Sequence, residues 1–154
     1  MKQEGLIAAA SAFSALTIVG VVLFLLIIDY KQLIGPALIV FGFLPLIPVM
    51  LAGRSIKSIG ADIVYGIVDG GILAIAAVAG EIKAGAIGAV FGGAIGNAIS
   101  DGFGGLWEGY AASWLRRKGI KEARTPLSSS MGKMSGVALG AAIVITVAWT
   151  FIGL

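Results

Sequence analysis

The sequence predicts an all-α integral membrane protein, a bundle of five transmembrane helices, and three observations lead there. The chain is 58% hydrophobic and only 12% charged, against about 25% charged in a soluble domain. So little charge leaves too few polar groups to cover an exterior that faces water, and an apolar solvent removes that need. Five apolar stretches, each near the roughly 20 residues a bilayer crossing requires, are separated by polar breaks. The basic residues then sort almost entirely to one side of the resulting arrangement. Glycine is abundant, 24 residues, which suits close helix packing in lipid. Cysteine and histidine are both absent. Disulfides, thiol chemistry, imidazole metal ligation and imidazole acid–base catalysis are excluded with them.

The first stretch, 5–28, ends at Asp29-Tyr30-Lys31. Its apolar core is too long for a signal peptide and no small-residue cleavage site follows, so it is expected to be a retained helix. The second, 33–52, ends before Arg54 and Lys57 and contains Pro36, Pro45 and Pro48. Pro45 and Pro48 lie inside it and should kink or break it. The third and fourth, 58–80 and 84–113, flank the polar tip Glu81-Ile82-Lys83. The fifth is 135–154, preceded by a basic loop over 114–134 that holds Arg116, Arg117, Lys118, Lys121 and Arg124. The whole chain, 1–154, reads as a single membrane domain.

With five crossings, Lys2, Arg54, Lys57, Arg116, Arg117, Lys118, Lys121, Arg124 and Lys133 share one side, and only Lys31 and Lys83 lie opposite. Positive residues stay inside, so the N-terminus is expected inside, the C-terminus outside, and the protein in the cell membrane. Four crossings would spoil that sorting. Tyr30, Trp107, Trp114 and Trp149 fall near predicted helix ends, as interfacial aromatics do. The basic loop is expected to set orientation and to touch anionic membrane lipid. It is short and lacks interleaved aromatics, so no nucleic acid partner is expected. Small residues recur every four positions, in the rows 85-89-93 and 88-92-96. That is the pattern of close helix contact, either within the chain or between copies. A homo-oligomer is expected, with a dimer favoured.

Ionisable groups inside a bilayer are costly and point to function. Asp62 and Asp69 fall on the third stretch, Asp101 and Glu108 on the fourth. At about 100° per residue, a spacing of seven places Asp62 and Asp69 within about 20° on one helix face. Asn97, Asp101 and Glu108, spaced by four and seven, share a face of the next helix. With a hairpin tip near Lys83, Asp69 and Asn97 both lie roughly 21 Å from it, and Asp62 and Asp101 roughly 31 and 27 Å. The expected arrangement is a ladder of hard oxygen donors from mid-membrane toward the inner mouth, with Tyr65 as a further candidate. Lys83 and Arg116 are too near the ends to neutralise it. Uncompensated carboxylates in low dielectric must protonate or find a cation. Oxygen-only ligands suit Mn²⁺, Mg²⁺ or Fe²⁺, here as transported substrate, with no organic cofactor.

The stretch Tyr65-Gly66-Ile67-Val68-Asp69-Gly70-Gly71-Ile72, followed by the Gly/Ala-rich run 85–99, Ser100 and Asp101, resembles the first two helices of the vacuolar iron transporter family of iron and manganese exporters. The resemblance implies that Asp69 is the membrane aspartate of the family's Asp-Gly motif and Asp101 the acid of the next helix. It also implies five spans with the N-terminus inside. The similar hairpin is here the third and fourth stretches rather than the first two. Asn97 stands where the family often has methionine, and the family's Glu-rich cytoplasmic segment is replaced by the basic loop.

Three functions compete at this point. One is a divalent-cation transporter or channel, with Asp69 or Asp101 as the groups that would couple it to protons. Another is a metal-dependent membrane enzyme acting on a lipid or phosphate substrate. Against an enzyme, Asp69-Gly70 is not followed by the Ala-Arg and later Asp repeats of alcohol phosphotransferases, and no Ser, His or Cys nucleophile system is present. The last is a structural or accessory subunit whose acids hydrogen-bond helices together.

Overall fold

A computed structural model describes residues 3–117 and 125–153 of the chain. No strand occurs among the described residues. Helix α1 is Gln3–Ile27, α2 is Lys31–Phe43 and α3 is Leu46–Leu51. A 3-10 turn at Ile56–Ile59 leads into a long helical stretch, Gly60–Arg117. That stretch is broken at Ala84 (φ −144°, ψ 21°) and Gly85 (φ 61°, ψ −147°), giving two arms, α4 over 60–83 and α5 over 86–117. The last helix, α6, is Pro126–Ile152. Four stretches are long and apolar enough to cross a membrane: Leu6–Ile27, Lys31–Leu51, Ile56–Gly104 and Pro126–Ile152.

The third of these folds back on itself. Only glycine adopts the Gly85 conformation without strain, so the polar tip ends in the one residue type that permits the reversal. Gly80 then lies against Gly88, Gly92 against Ala76, Gly96 against Leu73, and Gly104 against Tyr65. Residue numbers fall along one arm as they rise along the other, so α4 and α5 are antiparallel. The row 88-92-96 is consumed by this contact, and Ser100 and Gly104 continue it at the same spacing.

Helix α6 is the centre of the bundle and contacts α1, α2, α3 and α4. Gly66 and Gly70 of α4 meet Gly136 and Val137 of α6 backbone to backbone, while Gly136 and Gly140 meet Ile63 and Ile67. Numbers rise together here, so α4 and α6 are parallel. Antiparallel to α6 runs α2, with Gly35 against Thr146 and Gly42 against Leu139. Phe41 of α2 covers Gly20 of α1.

The second stretch breaks as its prolines predict. Helix α2 stops at Phe43, and Leu44-Pro45 forms a turn before α3. The Gly42 carbonyl beside the break accepts a hydrogen bond of 2.6 Å from the buried Ser135 hydroxyl of α6. In lipid a carbonyl at a broken helix needs such a partner.

The beginning of α6 differs from the sequence reading. Residues 126–134, expected in the basic loop, are its first turns. Thr125 and Ser128 form a reciprocal capping box with proline at the first helical positions. Such a box satisfies backbone donors that the helix start would leave open. The remainder of the expected loop, 118–124, lies outside the described residues.

Burial runs opposite to that of a water-soluble protein. The buried apolar residues are mostly small, among them Ala9, Ala74, Ala138, Ala142 and Ala148. Val49, Ile59 and Met131 form a small buried cluster, but many large apolar residues lie outside: Leu26 is 66% exposed, Ile87 77%, Val90 73% and Phe151 81%. Soluble monomers rarely expose apolar surface on this scale. In lipid the tails are as apolar as leucine, and small residues drive helix contact instead. The described chain is thus an all-helical bundle with the composition of a membrane protein.

Candidate functional site

The hairpin α4–α5 carries most of the acids, so its register decides which of them meet. Gly80/Gly88, Ala76/Gly92, Leu73/Gly96 and Tyr65/Gly104 pair so that residue numbers add to 168 or 169. The partner of Asp69 in this register is Ser100, three positions beyond the expected Asn97. The shift arises because the chain turns at Ala84-Gly85 rather than at Lys83. Asp101 accordingly lies near the level of 67–68, closer to Asp69 than the expected ladder placed it.

Asp69 is partly buried between the two arms, and Ser100, which is 1% exposed, donates to its Oδ1. The Ser100 oxygen is also 3.0 Å from the Asn97 carbonyl. A hydroxyl has one hydrogen, and a carboxylate is the stronger acceptor. Ser100 is therefore fixed by both groups and aimed at Asp69.

Asn97 and Asp101 lie on the flank of α5 and are exposed. Their shared face is the expected one, and the Asn97 amide donates to Asp101 Oδ2 at 3.0 Å. Asp101 does not turn into the hairpin beside Asp69, because Ser100 holds the inward position and the next residue lies about 100° further around.

Asp62 faces α6 instead of α5. It is 3% exposed, and Ser129 lies 3.4 Å from its Oδ1. Gly132 supplies the room: a Cβ there would stand 2.7 Å from the Asp62 Cβ. Asp62 and Asp69 share a broad face of α4, as expected, yet the two neighbouring helices divide that face between them. Glu108 lies within helix α5, and its side chain is outside the described residues.

Tyr65 stands between Asp62 and Asp69 along α4. It is buried, and its ring packs where Gly104 has no side chain. Over that ring, 4.9 Å from its centroid, lies the ammonium of Lys133. By sequence Lys133 belongs with the loop cations, and no basic group is expected within the acid ladder. Structure corrects this: the early start of α6 carries Lys133 two turns into the helix, beside α4. The Thr125-Pro126-x-Ser128 capping pattern was the signal that could have placed it. Ser100 was also missed, although it continues the 88-92-96 row.

Among the described residues, no group of three or more His, Cys, Asp or Glu side chains converges as a metal site would require. Asp69, Asp101 and Asp62 occupy three different faces, toward α5, outward, and toward α6. No family model, curated protein or solved structure matches the chain.

Proposed function

We propose that this protein crosses the cell membrane five times, N-terminus inside and C-terminus outside, and moves a hard divalent cation along the α4–α5 hairpin. Mn²⁺, Mg²⁺ and Fe²⁺ are the cations that oxygen ligands suit. The alternating helix directions support five crossings, with the hairpin supplying two. Those directions also bring the start of α1, the 52–58 connection, the end of α5 and the start of α6 to one end, which is compatible with a positive-inside orientation.

The observation that carries the transport reading is the pair Asp69 and Asp101. Two carboxylates lie near one level of a hairpin that is long and apolar enough to cross a membrane, with Ser100 and Asn97 as their oxygen-bearing neighbours. Carboxylates at such positions either protonate or take a cation. One chain leaves the set incomplete, since Asp101 looks outward. A second copy of the chain, applied to the exposed flank of α5, would supply Asn97 donors and Asp101 acceptors to their counterparts in an isologous interface. The reading is therefore of a homodimer in lipid, without organic cofactor or catalytic role.

The test is Mn²⁺ flux into vesicles reconstituted with the full chain. Asp69→Asn and Asp101→Asn should each lower flux at least tenfold, and unchanged flux overturns the reading. A second reading has a specific observation in its favour. The Ser100–Asp69 bond joins two helices, as it would in an accessory subunit whose acids are structural. In that case Asp69→Asn would destabilise the protein and Mn²⁺ would leave its unfolding temperature unchanged.

A further inference from the structure

We propose that Lys133 is a tethered cation: its ammonium occupies the acid track when no ion is bound and competes with the transported cation for the same carboxylates. This inference rests on the transport reading above.

The geometry supplies the reasons. Lys133 is on α6, two turns beyond the Thr125 cap, and its carbonyl packs against Gly66 of α4. A side chain at residue 66 would hold the two backbones apart. With glycine there, the Lys133 side chain reaches the Tyr65 ring, and its ammonium lies 4.9 Å from the ring centroid. Tyr65 is fixed in turn by burial and by its seat on Gly104 of α5. The ammonium is thus held where α4 and α6 meet, beside the residue that seats on α5.

Along α4, Tyr65 follows Asp62 by three residues and precedes Asp69 by four. By helical rise the Asp62 Cα therefore lies about 4.5 Å before that of Tyr65 and the Asp69 Cα about 6 Å after it. The register of the hairpin brings the helical position of Glu108 near that of 60–61. A ring face alone attracts a cation by only about 0.5–2 kcal/mol, too little to hold an ammonium among apolar helices. In this proposal the neighbouring acids of α4, Asp62 and Asp69, supply the rest.

A function follows from the charge count. A monovalent ion entering the track gains no more attraction than the ammonium it must displace. A divalent ion gains about twice as much from the same carboxylates, because Coulomb attraction scales with charge. Lys133 would accordingly weaken binding of every cation and favour divalent over monovalent ones.

The experiment uses the full chain in detergent and in vesicles, with Mn²⁺ and Na⁺ as probes and three variants: Lys133→Gln, Lys133→Met and Lys133→Arg. Removing the charge should lower the Mn²⁺ concentration for half-maximal flux and half-maximal thermal stabilisation about tenfold, and should reduce the preference for Mn²⁺ over Na⁺. Lys133→Arg, which keeps the charge, should restore values near the original. An unchanged Mn²⁺ concentration dependence in Lys133→Gln and Lys133→Met overturns the proposal. A second measurement does not depend on transport. In metal-free buffer, Lys133→Gln is combined with Asp62→Asn, Asp69→Asn or Glu108→Gln and the unfolding equilibrium is measured. Coupling of at least fivefold with one of these acids is expected, and strict additivity with all three overturns the proposal. If coupling is found but Mn²⁺ neither stabilises nor crosses with any form of the protein, the transport reading fails and competition fails with it. If wild-type transport is found without coupling, only the tethered cation is lost.

Discussion

Ser100 donates its hydroxyl hydrogen to Asp69 across the α4–α5 hairpin. The bond joins residues whose positions follow from the turn at Gly85, so it reports the register of the two helices directly. Removing it should be costly, because the Ser100 side chain is almost wholly buried. Ser100→Ala is expected to lose about 1.5–3 kcal/mol if Asp69 is charged and about 0.5–1.5 kcal/mol if it is neutral. Equilibrium unfolding in mixed micelles measures the difference. A loss below about 0.5 kcal/mol would mean that the hydroxyl is not engaged as described.

Adjacent glycines on α4 should respond in opposite directions. A Cβ at Gly70 would collide with the Val137 backbone, which has no room to retreat, whereas a Cβ at Gly71 meets nothing within 4 Å. Gly70→Ala is expected to destabilise by about 1–3 kcal/mol through overpacking. Gly71→Ala should be neutral or stabilising by about 0.5–1 kcal/mol, since alanine is the better helix residue. The two unfolding curves measured side by side decide it. Equal effects would show that α4 and α6 do not interlock here.

Gly85 sets the reversal of the hairpin with φ 61° and ψ −147°. Side chains are strained in that region, at a cost on the order of 1–3 kcal/mol. Gly85→Ala should therefore destabilise although nothing lies within 4 Å of the added Cβ. Equilibrium unfolding of Gly85→Ala beside the parent in mixed micelles measures the loss. Full stability in Gly85→Ala would contradict the turn geometry.

Thr146 carries the one buried side-chain polar atom found without a hydrogen-bond partner among the described residues, and it packs against Gly35. Thr146→Val keeps the shape and replaces the hydroxyl by a methyl group. An unsatisfied buried hydroxyl costs about 1–3 kcal/mol, so the variant should be at least as stable as the parent and gain up to that amount. A clear loss of stability would show that the hydroxyl has a partner.

Thr125→Ala removes the side chain that accepts from the Ser128 amide. The expected loss is about 0.5–2 kcal/mol. It should also fray the first turns of α6, seen as faster amide exchange over 127–131. Exchange confined to its original rate would place the helix start elsewhere.

The sequence by itself determined the helical class, the apolar stretches, the break at the prolines and the existence of a hairpin with its tip near Lys83. Each of these is a local matter. Hydrophobic length, the missing proline N–H and a polar interruption of an apolar run act within a few residues of chain. The shared faces of Asp62 with Asp69 and of Asn97 with Asp101 were legible for the same reason, because helix periodicity fixes angles along one element.

Contacts between elements were decided only by the tertiary structure. Small residues mark where helices approach, but not which helix fills each notch. Gly66 and Gly70 could have taken α5 as readily as α6. The choice of α6 turned Asp62 toward Ser129 and brought Lys133 over Tyr65. A shift of three residues in the hairpin exchanged Asn97 for Ser100 opposite Asp69. Interhelical register depends on the summed fit of many backbone and side-chain surfaces, which no single stretch of sequence contains.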